Sequence, residues 1–434
     1  MKKIYGLAFA TALMALASCS SDDAPEVKNP NVIDGPVVGY VKMNLPAGTR
    51  ADANTYVHFT KGGTTVTCVA TENEGEYAVS AIPDKVVVFR GADFTSPYKA
   101  ETTDTDILTP AVFGDGTYGS PVSAANIYNV KGTPGDAPAV VVYLDHVYAD
   151  VTVTAATATS TITSKLIDYS VEFDPEYVFV NGVAQKTPII KTVVPDWNCG
   201  YGPEDSEDGE SKGSHWTSTS WDWTKTDEVT HYKLSEITKG KKQENEKIFE
   251  RVGKSDASLK KDYTHIIVAG KYILTDKEGK KLVADDNWDG TFYVYGADEN
   301  GNGHVYLSEA DVLADMNGNY ENGDRLTLAK SEGAGMNTHM TFGGKTCLKY
   351  DQGYVYYAEP IVTKIGEKNY GKGVVRNHQY KINVSQINGW GIAIPNIDEP
   401  IIPEDQDKDA DKSYLMLDIK INAFETVAGQ DVKW

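Results

Sequence analysis

Along most of the chain hydrophobic residues either alternate with polar ones, at the period of two expected of half-buried strands, or gather in short β-branched runs. Such runs occupy residues 37–45, 56–60, 64–70, 85–89, 139–144, 151–164 and 177–180. Others follow at 265–274, 291–295, 304–307, 354–359, 379–387 and 414–423. Val, Thr and Tyr are abundant in them, and these residues fit a pleated surface. Turn chemistry separates the runs: Asn181-Gly182, Asp289-Gly290, Asn300-Gly301-Asn302-Gly303 and Gly343-Gly344. Helical spacing is confined to 255–262 and 308–316. The pattern predicts an all-β protein of sandwich type in two parts.

The Gly- and Pro-rich stretch 132–139 divides the chain, predicting an N-terminal domain over 51–137 and a larger one over 138–397. Residues 200–213 carry Glu204, Asp205, Glu207, Asp208 and Glu210 and read as a solvated loop. Residues 398–412, acidic and Pro-containing without apolar periodicity, read as a linker to one last strand, so that 398–434 is linker plus strand.

The start of the chain has a different character. Lys2 and Lys3 precede an apolar stretch over 4–16. A helix spanning a bilayer core of about 30 Å needs roughly 20 apolar residues, so the stretch is a signal peptide, 1–18. Leu16-Ala17-Ser18-Cys19 fits the bacterial lipobox, which predicts acylation of Cys19 and anchoring of the precursor in the outer membrane. Ser20-Ser21-Asp22-Asp23 resembles the surface-export signal of Bacteroidetes lipoproteins.

Composition narrows the function. A net charge of −21 over 434 residues argues against a nucleic-acid partner, because phosphate binding needs a basic face. Beyond Cys19 there remain Cys68, Cys199 and Cys347, too few and too far apart for a disulfide framework or a zinc site. The histidines show no metalloprotease spacing, and no GxSxG elbow occurs. No catalytic constellation stands out, so the protein is expected to be no enzyme and to need no cofactor. Gly114-Asp115-Gly116-Thr117-Tyr118-Gly119 matches a dinucleotide fingerprint in letters only, since Ser120-Pro121 follows where a helix would start. Asp298, Asn300, Asn302 and Glu309 fit the spacing of a calcium loop, but a hairpin turn accounts for them better and no metal is expected. Trp216, Trp221 and Trp223 fit an inward aromatic strand face or, alternatively, the sugar-stacking platform of a surface-anchored glycan-binding lipoprotein.

The two ends suggest an assembly device. Val37, Gly39, Val41, Met43 and Leu45 share one face of a strand that stops before Pro46. Arg50 and Ala51 follow in an Ala-Gly-Thr-Arg-Ala-Asp context, a good substrate for an Arg-specific protease. At the other end Leu415, Leu417, Ile419, Ile421 and Ala423 alternate with polar positions, and a lone amphipathic strand needs a groove, its own domain's or another copy's. Cleavage that removed 37–45 would open an apolar trench, which a neighbour's C-terminal strand would fill by β-augmentation. Burying about four aliphatic side chains contributes on the order of 10 kcal/mol. Groove and donor are different surfaces, so the contact is head-to-tail and the assembly an open filament.

Val374-Val375-Arg376-Asn377-His378-Gln379-Tyr380-Lys381-Ile382-Asn383-Val384, with Ile387, Gly389 and Gly391, resembles the VVRNxxY…I…G signature of Bacteroidetes fimbrillins, the shaft subunits of type V pili, and of their minor-fimbrium branch in particular. Gly353-Tyr354-Val355-Tyr356-Tyr357 resembles that family's GxxYY strand, Gly48-Thr49-Arg50-Ala51 its protease site, and Val427, Asp431 and Val432 its final donor strand. The resemblance implies two transthyretin-like β-sandwich domains, with a removable N-terminal strand and a C-terminal donor strand. It also implies lipoprotein export, a propeptide over 19–50 cleaved after Arg50 by a surface protease, and strand exchange into adhesive fimbriae. Partners would be copies of itself, other fimbrial subunits, and a host protein or glycan. Arg376 is expected to act structurally, bridging a carboxylate, with Asn377 supplying a turn.

Overall fold

The computed structural model describes residues 33–428 with interruptions, the main ones being 45–53, 92–106, 109–117, 120–133, 189–228, 253–262, 319–339 and 404–413. For several N-terminal strands only the backbone is described. The described chain is nearly all strand, with one α-helix, Glu309–Gly318, where helical spacing was predicted at 308–316. The other helix predicted, at 255–262, lies outside the described residues.

Two sheets are built from the N-terminal third. In one, Cys68–Ala70, Glu76–Val79, Gly39–Asn44 and Ala139–Val141 lie in that order. The other runs Thr64–Val66, Asn54–Lys61, Lys85–Gly91, Tyr118–Gly119 and Tyr143–His146, with Val427–Ala428 from the far end of the chain at its edge. Strand pairing therefore carries this group of sheets to His146, past the 132–139 stretch. That stretch is itself tied down, because the Gly135 amide donates to the Glu76 carboxylate at 2.8 Å.

The larger part is a sandwich. One layer contains Lys242–Phe249, Tyr148–Thr154 and His378–Asn388, with Tyr414–Ala423 added along the open side of the last. The facing layer runs Tyr169–Asn181, His265–Asp276, Tyr354–Pro360 and Ile392–Ala393. Val151, Val153, Tyr380, Ile382 and Val384 from the first meet Val178, Val180, Ile266, Val268 and Tyr357 from the second in one core. The second layer is buried on its outer face too, where Ile267, Ala269 and Phe179 pack with Leu234 and Ile401. A strand covered on both faces reads as a continuous apolar run, which is why 265–269 shows no alternation. At its centre Gly270 is obligatory: a Cβ there would lie 2.0 Å from the Asp174 carbonyl oxygen. A smaller sheet, His304–Tyr306, Phe292–Tyr295, Lys345–Tyr350 and Met340–Phe342, carries the helix through Tyr293, Tyr295, Val312 and Cys347.

Candidate functional site

The front strand, Gly39–Asn44, is an interior strand. It pairs antiparallel with Glu76–Val79 in the register Gly39↔Val79, Val41↔Tyr77, Lys42↔Glu76. On its other side it pairs parallel with Ala139–Val141, Lys42 opposite Ala139. Val41 is 1% exposed. Val37, predicted to share its inward face, instead precedes the strand and is 46% exposed, because chain pairing begins only at the Val38 amide, which donates to Val79 O at 2.8 Å. The backbone of Met43 continues the strand, whereas its side chain, Leu45 and the Arg50-Ala51 bond lie outside the described residues, as does Cys19.

Glu76, beside this strand, is an unusual buried carboxylate. It accepts hydrogen bonds from Thr71 Oγ1 at 2.8 Å, Asn73 Nδ2 at 2.7 Å and Gly135 N. Burial pushes its carboxyl up, but these bonds and the charge of Lys42 outweigh burial and hold it below its ordinary value.

The tail strand, Tyr414–Ala423, lies antiparallel on His378–Asn388, from Tyr414↔Asn388 to Ala423↔His378. Leu415 is 3% exposed and Leu417, Ile419 and Ile421 are half-buried against the core, while Tyr414, Met416, Asp418 and Lys420 face out. The alternation predicted from sequence is thus present, and in this chain the groove occupied is the domain's own. Among the described residues the strand has a partner on one side only. Farther on, Val427–Ala428 pairs with Tyr143–Leu144, so the end of the chain touches both groups of sheets.

The linker predicted at 398–412 is shorter than expected. Ile401 is fully buried; its amide donates to Tyr232 O at 3.0 Å and its carbonyl accepts from Asn181 Nδ2 at 2.8 Å. An isoleucine between prolines supplies an apolar anchor that low overall hydrophobicity conceals.

The VVRNxxY residues form a clasp between strands. Tyr380, fully enclosed, accepts from the Val375 amide at 2.9 Å and bonds Thr363 Oγ1 at 3.0 Å, while Thr363 donates to Gly373 O. Arg376, 3% exposed, occupies the bend just before His378–Asn388, and His378 Nδ1 lies 2.7 Å from its carbonyl oxygen. Asn377 lies outside the described residues. The glycines are steric. Gly389 has φ +76°, and a Cβ on Gly391 would meet Val355 Cγ2 at 2.6 Å and the Tyr357 ring at 2.7 Å. That space belongs to a buried network in which Tyr272 and Tyr357 hydroxyls pair, Tyr357 donates to Gly389 O, and Trp390 Nε1 donates to the Tyr350 hydroxyl. The GxxYY strand, Tyr354–Pro360, supplies Tyr357 to one core and Tyr356 to the other.

Among the described residues the remaining candidates are not gathered into a site. Glu309 opens the helix and is exposed, whereas Asp298 and Asn300 lie outside the described residues; Asn302 flanks a hairpin joining Phe292–Tyr295 to His304–Tyr306. Among the described residues no cluster of metal-ligating side chains occurs. Trp216, Trp221, Trp223, Asp431 and Val432 also lie outside them. Cys68 and Cys347 are both buried. No helix of the described chain is long and apolar enough to cross a membrane. Sequence reasoning passed over Glu76 and Lys242–Phe249; the latter, KQENEKIF, has only two aliphatic or aromatic residues at its end, typical of an edge strand guarded by charge.

Residues 348–429 match the C-terminal model of fimbrillin, the major fimbrial subunit protein type IV. No curated protein matches the sequence significantly. Among solved structures, one from Parabacteroides distasonis ATCC 8503, provisionally described as a cell adhesion protein, is 12% identical with a TM-score of 0.40, covering 89% of this chain and 97% of its own. Another with the same provisional description, from Bacteroides eggerthii DSM 20697, is 8% identical with a TM-score of 0.37, covering 91% and 98%.

Proposed function

We propose that this chain, which belongs to the fimbrillin family by its residues 348–429, is a structural subunit of adhesive surface fimbriae that polymerises by donor-strand exchange. It is exported as a lipoprotein acylated at Cys19 and cleaved between Arg50 and Ala51 by an Arg-specific surface protease. The tail strand of one copy then replaces the front strand of the next. Its role is assembly and adhesion without catalysis, and its partners are other copies, further fimbrial subunits and a ligand on the host.

The observation that carries this reading is the position of Gly39–Asn44 between two strands. A cut after Arg50 severs it from the rest of the chain, and its departure leaves unpaired edges on both Glu76–Val79 and Ala139–Val141 around the place of Val41. An edge strand held on one side, as Tyr414–Ala423 is, gains a second row of backbone partners by moving into such a slot.

The test is to treat purified precursor with an Arg-specific protease and follow it by terminal sequencing and SDS gels. The expected result is a new N-terminus at Ala51 and a ladder of SDS-resistant multimers, absent from Arg50→Ala and from a chain lacking 413–434. Cutting without a ladder, or a ladder from the truncated chain, overturns the reading.

A further inference from the structure

The two strands that would exchange share a sequence. Ile419-Lys420-Ile421-Asn422 reproduces Val41-Lys42-Met43-Asn44 in kind: β-branched, lysine, unhindered or branched aliphatic, asparagine. Both segments are strands. In both, the residue before the lysine faces the core: Val41 completely, Ile419 in part. The tail is also nearly palindromic about Lys420, reading Leu417-Asp418-Ile419-Lys420-Ile421-Asn422-Ala423. Either direction of entry therefore sets isoleucines on the two sides of the same lysine.

The slot has a matching feature. Lys42 stands opposite Glu76, and Glu76 is only 1% exposed. When the front strand leaves, that carboxylate keeps its hydrogen bonds to Thr71, Asn73 and Gly135 and loses its cation. The departure of Lys42 takes away a positive charge that helps hold the carboxylate ionised, and a buried charge with less compensation is costly. A one-residue slip of the incoming strand would turn Ile419 and Ile421 outward. A two-residue slip would set Asp418 or Asn422 against Glu76, and like charges directly opposite are destabilising. One register satisfies both the apolar face and the carboxylate.

Resting on the strand-exchange reading above, we infer that Lys420 is the specificity-determining residue of assembly: it takes the place of Lys42 beside Glu76 of the next copy and fixes the register of the incoming strand. In the subunit itself Lys420 is exposed on an edge strand, so its replacement leaves the fold intact. A shorter match, Val432-Lys433, lies at the chain's end, and the experiment separates the two.

Val141 is the parallel partner of Asn44, two positions beyond Lys42, so a cysteine there reports register while Lys420 stays in place. Val141→Cys in one chain is mixed with Asn422→Cys or Asp418→Cys in another, one for each direction of entry, and the mixture is cleaved and oxidised. Expected is an intermolecular disulfide from one of these two, with none when the second cysteine is Met416→Cys, Phe424→Cys or Asp431→Cys. In parallel, Lys420→Glu slows ladder formation about tenfold, the equivalent of 1.4 kcal/mol, and Lys420→Arg does not. A ladder with its disulfide at 416, 424 or 431, with no disulfide at all, or with Lys420→Glu assembling at the parental rate overturns the register and leaves strand exchange standing. Failure of the parental chain to form any ladder overturns strand exchange itself.

Discussion

Removing one oxygen from Tyr380 tests the clasp that the VVRNxxY residues form. In Tyr380→Phe the ring keeps its place, but the Val375 amide, wholly enclosed, loses its acceptor. Thr363 uses its hydroxyl hydrogen on Gly373 O at 2.7 Å, so its contact with Tyr380 at 3.0 Å is one in which the tyrosine donates. The substitution therefore strands a buried donor, which costs about 1–3 kcal/mol, and deletes a neutral hydrogen bond with a net value near ~1 kcal/mol. These losses share an atom and are not fully additive, so the expected destabilisation is about 2 kcal/mol. For a cooperative unit of about 150–250 residues that lowers Tm by roughly 4–8 °C. Thermal unfolding of the uncleaved chain followed by circular dichroism measures it, with urea titration giving the free energy independently. Thr363→Val, alone and combined with Tyr380→Phe, closes a double-mutant cycle whose coupling should be non-zero. A Tyr380→Phe variant within about 0.5 kcal/mol of the parent, the usual range of an inconsequential surface change, would refute the clasp.

Gly391→Ala should cost about 1–3 kcal/mol in the same urea titration, because Val355 and Tyr357 are enclosed and have nowhere to retreat from the new methyl group; a neutral result would show that the strand end yields. His265 is buried, with His231 stacked 6.0 Å away and Arg251 near, and burial first, then these neighbours, push its pKa down to about 3 against the weaker pull of the Tyr263 carbonyl. The unfolded chain takes up that proton near pH 6.5 and the folded one does not, so stability is lost as pH falls from about 6.5 towards 3, by about 2–3 kcal/mol between pH 7 and 4.5. His265→Gln should flatten that slope in urea titrations at the two pH values; equal slopes would contradict it. Gly182→Ala should cost at least ~1 kcal/mol by thermal unfolding, since Gly182 has φ +66° and a Cβ would stand 2.4 Å from Tyr263 O.

What the sequence disclosed, it disclosed by period. The run at 414–423 coincides with the strand Tyr414–Ala423, and Leu415 is inward as its parity requires. Asn181-Gly182 is the turn its residues advertise, with Gly182 at positive φ. Boundaries failed where tertiary pairing extends a strand beyond its apolar part: 177–180 became Tyr169–Asn181, whose first half alternates charge with Val171 and Phe173 in register with His265–Asp276. Lys368–Val374, KNYGKGV, has no strand-like composition and pairs through its backbone. Of the proposed assembly device, the inward parity of Val41 and of the tail was legible, because one strand face carries it. The roles of Glu76 and Ile401 were not, since each depends on partners far away in sequence: Gly135 for one, Asn181 and Tyr232 for the other.

The anchoring of Ile401 has a geometric consequence for any filament these subunits build. With that residue clamped in its own protomer, Lys420 lies nineteen positions farther along the chain. A fully extended backbone covers at most about 3.3–3.6 Å per residue, so Lys420 can travel no farther than about 65 Å from the clamp. If tails exchange as proposed, the axial repeat of the fibre is capped by a leash whose inner end is an isoleucine locked between two hydrogen bonds.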